Sequence, residues 1–361
     1  MATPKLRRKV ADPKTRLNWR VSDVLRKVTS RWLELRARLT GRRYYCHALA
    51  GEADYDITIN SDLTVSCCCQ DYEGTGHLGD LRKNSFEEVF FGPVAQKFRD
   101  DLAHGKIPIP TCVRCGSFRR LKKGEDPPKP RLPYRGILLE NTVLCNVDCI
   151  GCARESASNI RTKKTMPLAE LSQMADLCAR LKMERIFYLN LGEPFLSPTI
   201  CQELPLLRAK NPDAYIRVST NGILLNTDAK REAALNLSDI QFSVHGSSDE
   251  MCEKYMLGSN FEKAYAAMKA MVEYRNARGV EQPILEWKYL LFNWNDHPKQ
   301  IAKAIELARA IGVDIISFWP TNNPFYGVSW RYRLGQFKNV GKPSWKGREI
   351  DFRVNPKFQA R

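Results

Sequence analysis

Cys145, Cys149 and Cys152 stand together in "ENTVLCNVDCIGCARE" (140–155), spaced Cys-x3-Cys-x2-Cys. Thiolates are the usual ligands of iron–sulfur clusters, and this spacing lets one short loop wrap three corners of a cubic cluster. Three protein ligands leave one iron open to bind something else. The alternative is a zinc site completed by a remote fourth ligand. A second group lies upstream, where Cys112-Val113-Arg114-Cys115 forms a Cys-x2-Cys knuckle preceded by Cys46 and the consecutive Cys67, Cys68 and Cys69. Twelve cysteines in 361 residues would suggest disulfides in a secreted chain, yet no secretory signal is evident and adjacent cysteines pair poorly. Reduced thiolates serving metals are the better reading, in a protein expected to be cytoplasmic.

These residues need elements to position them. From residue 134 the pattern alternates β and α. Expected strands are 136–141, 185–190, 214–219, 239–244, 284–292 and 314–319, separated by amphipathic stretches such as "FEKAYAAMKAMVEYRNA". Such alternation predicts a parallel sheet with helices outside it, and sites at the carboxyl ends of the strands. The unusual residues cluster there. The three-cysteine loop follows the first strand, "LGEP" (191–194) the second and "STNG" (219–222) the third, while His245 follows the fourth and "NWND" (293–296) the fifth. In "ILEWKYLLF", Glu286 and Lys288 share one face with Leu290, and Trp287 and Tyr289 share the other. The polar face is expected to point into a common cavity, because an outer face packed by helices favours the aromatics. His245 could move a proton there, or simply be a satisfied, hydrogen-bonded histidine.

Together, Cys145-x3-Cys149-x2-Cys152 at a first strand end, Gly192-Glu193-Pro194 and Ser219-Thr220-Asn221-Gly222 resemble the signature of the radical S-adenosylmethionine superfamily. The resemblance covers about residues 134–320 and implies a partial (β/α)6 TIM-type barrel. It further implies a 4Fe–4S cluster whose open iron binds S-adenosylmethionine, reductive cleavage to a 5′-deoxyadenosyl radical, and hydrogen abstraction from substrate. Glu193 would help hold the methionine amino group. Ser219 and Asn221 would contact the ribose. Leu191 replaces the first Gly of the family's GGEP motif. Many relatives also carry an Arg where this chain reads Tyr255-Met256-Leu257-Gly258, so Arg217 or Lys288 would have to meet the cofactor carboxylate.

Residues 44–120 resemble the SPASM or twitch modules of some relatives, here ahead of the barrel rather than after it. A hairpin is expected around Asn60-Ser61-Asp62, and one or two helices broken at Gly92-Pro93. The resemblance makes Cys46, Cys68, Cys112 and Cys115 the four ligands of a closed auxiliary 4Fe–4S cluster. A structural zinc knuckle is the alternative. A closed cluster suits electron transfer, so the expected activity is oxidation of a sugar or peptide side chain, with Glu286, Lys288 and His245 as candidate catalytic groups. Epimerisation, dehydration or peptide crosslinking are the alternatives. An external donor such as flavodoxin or ferredoxin would supply the reducing electron.

The remaining features lie outside the chemistry. "GEDPPKPRLP" (124–133) is a Pro-rich linker, and Cys178, Cys201 and Cys252 are expected in helices as small hydrophobes. Residues 1–43 carry 14 basic and 3 acidic residues, and 321–361 carry 9 and 2, so the net charge of +17 belongs to the two ends. Basic ends can attract nucleic acid or an anionic membrane. A zinc-binding, nucleic-acid-associated protein is a reading that the strand-end motifs argue against. Between residues 21 and 39, Val21, Val24, Leu25, Val28, Trp32, Leu35 and Leu39 form one stripe on a basic helix. Such a stripe either docks on its own domain or lies on a membrane interface.

Overall fold

The computed structural model describes residues 13–55, 57–336 and 348–351. Six parallel strands appear where the β-rich runs are: β6 (Ile137–Leu139), β8 (Arg185–Phe187), β9 (Tyr215–Thr220), β10 (Asp239–Ser243), β12 (Ile284–Leu291) and β13 (Ile315–Pro320). Helices Leu168–Arg180, Ile200–Lys210, Asp228–Ala234, Phe261–Ala277 and Pro298–Ile311 connect them in turn, as parallel crossovers require. Among the described residues, the strands belong to a ten-stranded mixed sheet that stays open, with β4 (His77–Asp80) at one edge and β14 (Arg348–Asp351) at the other. The chain is thus an α/β fold with the open architecture of a partial barrel, without the closure of a full one.

Strand alternation sorts the two faces. Ile216, Val218, Phe242, Trp287, Tyr289 and Phe318 are all at most 1% exposed and belong to the main core. Trp287 lies 6.3 Å from Phe261 and 6.2 Å from Tyr265 between ring centres, both on the helix Phe261–Ala277. Each such fully buried large side chain contributes about 1.5–3 kcal/mol. The opposite face carries Arg217, Ser219, Gln241, Ser243, Glu286, Lys288 and Ser317. The aromatic side of β12 therefore faces the helices and the polar side faces away from them, as expected.

The cysteine-rich module joins the same sheet. Its hairpin of β2 (Thr58–Ile59) and β3 (Thr64–Ser66) turns at 60–63, where Leu63 takes a positive φ of 65° and Asp62 accepts from the Thr64 N–H and hydroxyl. β2 then pairs parallel with β6, so the hairpin extends the barrel sheet rather than standing apart. Buried Arg161 clamps this junction, reaching Glu140 at 3.2 Å and the Asn60 side chain at 2.6 Å. The module's helices are Phe86–Phe90, closed by a Ser85/Glu88 capping box, and Pro93–Ala103, broken apart at Gly92-Pro93 as expected. A second pair, β1 (Tyr44–Cys46) with β5 (Phe118–Arg120), brackets the module's cysteines.

Two expectations fail. The N-terminal helix, Pro13–Thr40, does dock on the module, but not through its apolar stripe. Asn18, Arg26, Ser30 and Ala37 face inward, whereas Val24, Leu25, Val28, Trp32, Leu35 and Leu39 are at least half exposed. The inward groups find specific polar partners, such as Ser22 with Arg114 at 2.7 Å and Glu34 with the Ile107 N–H at 2.8 Å. Cys201 is exposed rather than packed, unlike Cys178 and Cys252, because it sits on the outer side of its helix. Among the described residues, no helix is long and apolar enough to cross a membrane.

Candidate functional site

The loop after β6 carries Cys145, Cys149 and Cys152. Its middle is pinned by a two-residue strand, β7 (Asp148–Cys149), pairing antiparallel with β11 (Met256–Leu257). The Ile150 N–H donates to the Tyr255 carbonyl at 2.9 Å, and Arg154 pairs with Asp148. Tyr255, Met256 and Leu257, where the family's Arg is absent, thus serve as a backbone clamp on the cysteine loop. Sequence reading missed this role because two-residue pairing leaves no periodic signal. Burial pushes the Cys145 thiol up to about 12, with the nearby Glu193 carboxylate adding to it.

The LGEP and STNG segments meet this loop through one carboxylate. Glu193 is 2% exposed and accepts from the Thr220 hydroxyl at 2.7 Å, the Asn221 N–H at 2.8 Å and the Phe195 N–H at 3.2 Å. A carboxylate has about four acceptor positions, so about one remains for an ammonium group. Burial raises the Glu193 pKa, and these donors oppose that shift. Asn221 in turn donates to the Asn146 side chain at 2.8 Å and lies 3.9 Å from the Cys145 sulfur. Gly192 makes the junction possible, since a Cβ there would stand 1.9 Å from the Thr142 carbonyl oxygen. Pro194 follows, and its carbonyl accepts from Asn141 at 3.1 Å. Ser219 lies on the polar face, 3.0 Å from the Ser243 hydroxyl.

Across the sheet, Glu286 accepts from Arg217, Ser317 and, at 3.0 Å, Gln241. Arg217 also pairs with Asp239 at 3.0 Å, so it is not available to a cofactor carboxylate as the sequence reading allowed. Lys288 stands above this network with its ammonium 4.6 Å from the centre of the Trp319 ring, a cation–π contact. Burial holds its pKa below the usual lysine range. Buried His245 accepts from the Leu290 N–H at 3.2 Å through Nδ1, and burial with Lys288 nearby pushes its pKa down to about 3. The ring is therefore neutral near pH 7, with only Nε2 left to act. "NWND" proves structural: Asn295 donates to the His245 and Leu290 carbonyls at 2.9 Å, and Asp296 accepts from Ser329 and Arg331.

The upstream cysteines converge. Cys46, Cys67, Cys68, Cys112 and Cys115 line one pocket whose other walls are apolar, including Leu49, Phe98 and Phe118. Cys69 is not among its lining residues. The Leu49 N–H approaches the Cys46 sulfur at 3.5 Å and the Ser117 N–H that of Cys115 at 3.4 Å, contacts of the kind that tune a cluster. Burial raises the Cys46 thiol and pushes Cys112 up to about 11. A cubane takes one thiolate per iron, and an apolar, thiol-lined pocket fits it. Sequence reading chose Cys68 as the hairpin ligand; the structure brings both Cys67 and Cys68 to the pocket.

The chain matches two family profiles. Residues 140–280 match the radical SAM superfamily and 51–116 match SPASM, an iron–sulfur cluster-binding domain. No curated protein gives a significant sequence match. Similar solved structures include native anSMEcpe with bound AdoMet, at 19% identity over 51% of this chain and 50% of that one, with a TM-score of 0.39. TYW1 with a lysine–pyruvate adduct is 15% identical over 49% and 61%, with a TM-score of 0.33. Coproporphyrinogen III oxidase (HemN) from Escherichia coli is 12% identical over 52% and 48%, with a TM-score of 0.34. The chain spans about half the length of the solved structures it matches. The radical SAM domain brings a 4Fe–4S cluster and S-adenosylmethionine, and the SPASM domain adds an auxiliary iron–sulfur cluster. The chain thus carries a radical SAM domain at 140–280, preceded by a SPASM domain at 51–116.

Proposed function

We propose that the chain is an oxidoreductase acting on a small polar substrate, a sugar or a peptide side chain, with the auxiliary cluster handling electrons. When bound, the catalytic cluster and S-adenosylmethionine supply the radical that removes a substrate hydrogen atom. Cys145, Cys149 and Cys152 would hold that cluster, and Glu193, kept in place by Thr220 and Asn221, would receive the methionine ammonium group. Ser219 and Asn221 would meet the ribose, and Lys288 would bind an oxygen of the substrate. His245, neutral and fixed at Nδ1, has only its Nε2 with which to orient a substrate group. Cys46, Cys68, Cys112 and Cys115 would close the auxiliary cluster.

The observation that carries the electron role is the apolar pocket with five cysteines on its walls. Enough thiolates are present to fill every corner, which leaves no iron for substrate and suits an electron carrier. The test is anaerobic reconstitution with iron and sulfide analysis, then assay for 5′-deoxyadenosine with flavodoxin, ferredoxin or dithionite as reductant. About eight irons per chain are expected. The Cys68→Ala, Cys112→Ala, Cys115→Ala variant should keep about four irons and still cleave the cofactor, yet release no product two hydrogens lighter than substrate. Normal oxidation by that variant would refute the electron role. A product of unchanged mass from the intact enzyme would point to epimerisation.

A further inference from the structure

We infer that the exposed face of the N-terminal helix docks the enzyme on an anionic lipid surface. The helix Pro13–Thr40 is fixed to the protein along one side, where Asn18 meets Asn323 at 2.6 Å, Arg26 reaches Glu73 at 3.2 Å, and Tyr44 donates to the Leu33 carbonyl at 3.3 Å. On the other side Leu17, Val24, Val28, Trp32, Leu35 and Leu39 are each 52–77% exposed. At about 100° per residue they fall within a stripe roughly 80° wide, on the side away from the docked residues. A face this apolar left in water on an otherwise well-packed protein marks a binding surface.

The pattern selects the occupant. Leu17, Val28 and Leu39 recur every eleven residues, as do Val24 and Leu35, so the stripe runs nearly straight along the helix. A heptad seam continued from Leu17, Val21, Val24 and Val28 would bring Arg31 and Arg38 into its core, which disfavours a paired coil with a second copy. Straightness over about 33 Å suits a flat surface. Charge specifies its sign. Arg20, Lys27, Arg31 and Arg38 are exposed in a row beside the stripe, and Arg36 stacks over Trp32 at 5.0 Å. The helix's two acids are turned elsewhere: Asp23 pairs with Arg26 and Lys27, and Glu34 accepts from Ile107. An apolar stripe with Trp and flanking cations is the composition of a helix lying in the interface of an anionic bilayer. Because the docked side is opposite, the SPASM module stays in water while the stripe enters the lipid.

The test is flotation of the reconstituted full chain with phosphatidylcholine vesicles, with and without phosphatidylglycerol, at low and high salt, alongside its mass by light scattering. Binding only to the anionic vesicles, weakened by salt, is expected. Val24→Glu with Val28→Glu should abolish it. Arg20→Gln, Arg31→Gln and Arg38→Gln together should weaken it about a hundredfold, at roughly fivefold per cation. Iron content and 5′-deoxyadenosine formation in solution should stay unchanged in both variants, which separates this inference from the reading of the active site. No flotation with anionic vesicles overturns it. If the Glu variants instead split a dimer of the unbound protein, the face belongs to a second copy. Equal binding to neutral vesicles overturns the role of the cations.

Discussion

Glu193→Gln is the sharpest perturbation of the site, because the change is nearly isosteric and its cost follows from three hydrogen bonds. In the native protein one carboxylate oxygen accepts from Thr220 and Phe195, and the other accepts from the Asn221 N–H. An amide has a single acceptor oxygen. If it keeps Thr220 and Phe195, its NH2 faces the Asn221 N–H, donor against donor. If it turns over, the Phe195 N–H loses its partner instead. Either way one buried backbone donor is stranded, at about 1–3 kcal/mol. A central value of about 2 kcal/mol is roughly a thirtyfold easier local opening. Relief from burying a charge offsets part of this loss in global stability, but not at the stranded amide. Hydrogen exchange at residues 195 and 221, followed by mass spectrometry, reads the effect directly. S-adenosylmethionine affinity should fall with it, because Asn221 contacts Asn146 and approaches Cys145. Unchanged exchange at both amides would refute the positioning argument, even if cofactor binding were lost.

Cys68→Ser should lower iron from about eight to about four per chain, whereas Cys67→Ser should leave about eight; the reverse result would assign the hairpin ligand to Cys67. His245 makes stability fall on acidification. Its folded pKa is depressed from 6.5 to about 3, so below pH 6.5 the unfolded chain takes up a proton that the native ring refuses. The loss grows toward pH 3 and totals about 5 kcal/mol, and a His245→Asn variant should show a shallower decline of urea midpoint between pH 7 and 5. An equal slope in both proteins would sink that account. Arg275 and Asp314 form a fully buried ion pair in which Asp314 also accepts from the Leu285 N–H at 2.7 Å. Arg275→Met alone should cost about 3–5 kcal/mol in denaturant unfolding, and removing both charges with apolar residues of similar volume should cost less.

Much of this was legible in the sequence, for reasons that also explain what was not. The six barrel strands are β-rich runs bounded by turn residues, and each was found to within a few residues. The polar and aromatic faces of β12 followed from period-two alternation over eight residues, long enough to fix which side packs. The short pairings escaped. β2 meets β6, and β7 meets β11, over only two residues each, and no periodicity survives at that length. The N-terminal helix misled for a different reason. Sequence reasoning lets the apolar stripe choose the docking side, whereas here side-chain hydrogen bonds from Asn18, Ser22, Arg26 and Glu34 hold the opposite side. Arg217 looked available because its partners Asp239, on the adjacent β10, and Glu286, on β12 beyond it, meet it only once the sheet has formed.

The placement of the SPASM domain ahead of the barrel raises the question of how its cysteines are set relative to the catalytic loop. The pairing of β2 with β6 gives a physical answer. β6 is the strand whose end releases the loop of Cys145, Cys149 and Cys152, and β2 belongs to the hairpin that leads to Cys67 and Cys68. One ladder therefore sets the register of both groups. Arg161 reinforces it from the helix that follows the cysteine loop, reaching Glu140 beyond β6 and Asn60 in the hairpin turn. Half-buried Tyr72 and buried Tyr255 both have their hydroxyl pKa raised, chiefly by burial. The two cysteine groups are thus set on one continuous sheet rather than on separately paired ones. A displaced hairpin would move both, so the order of domains along the chain matters less than the strand on which the hairpin is built.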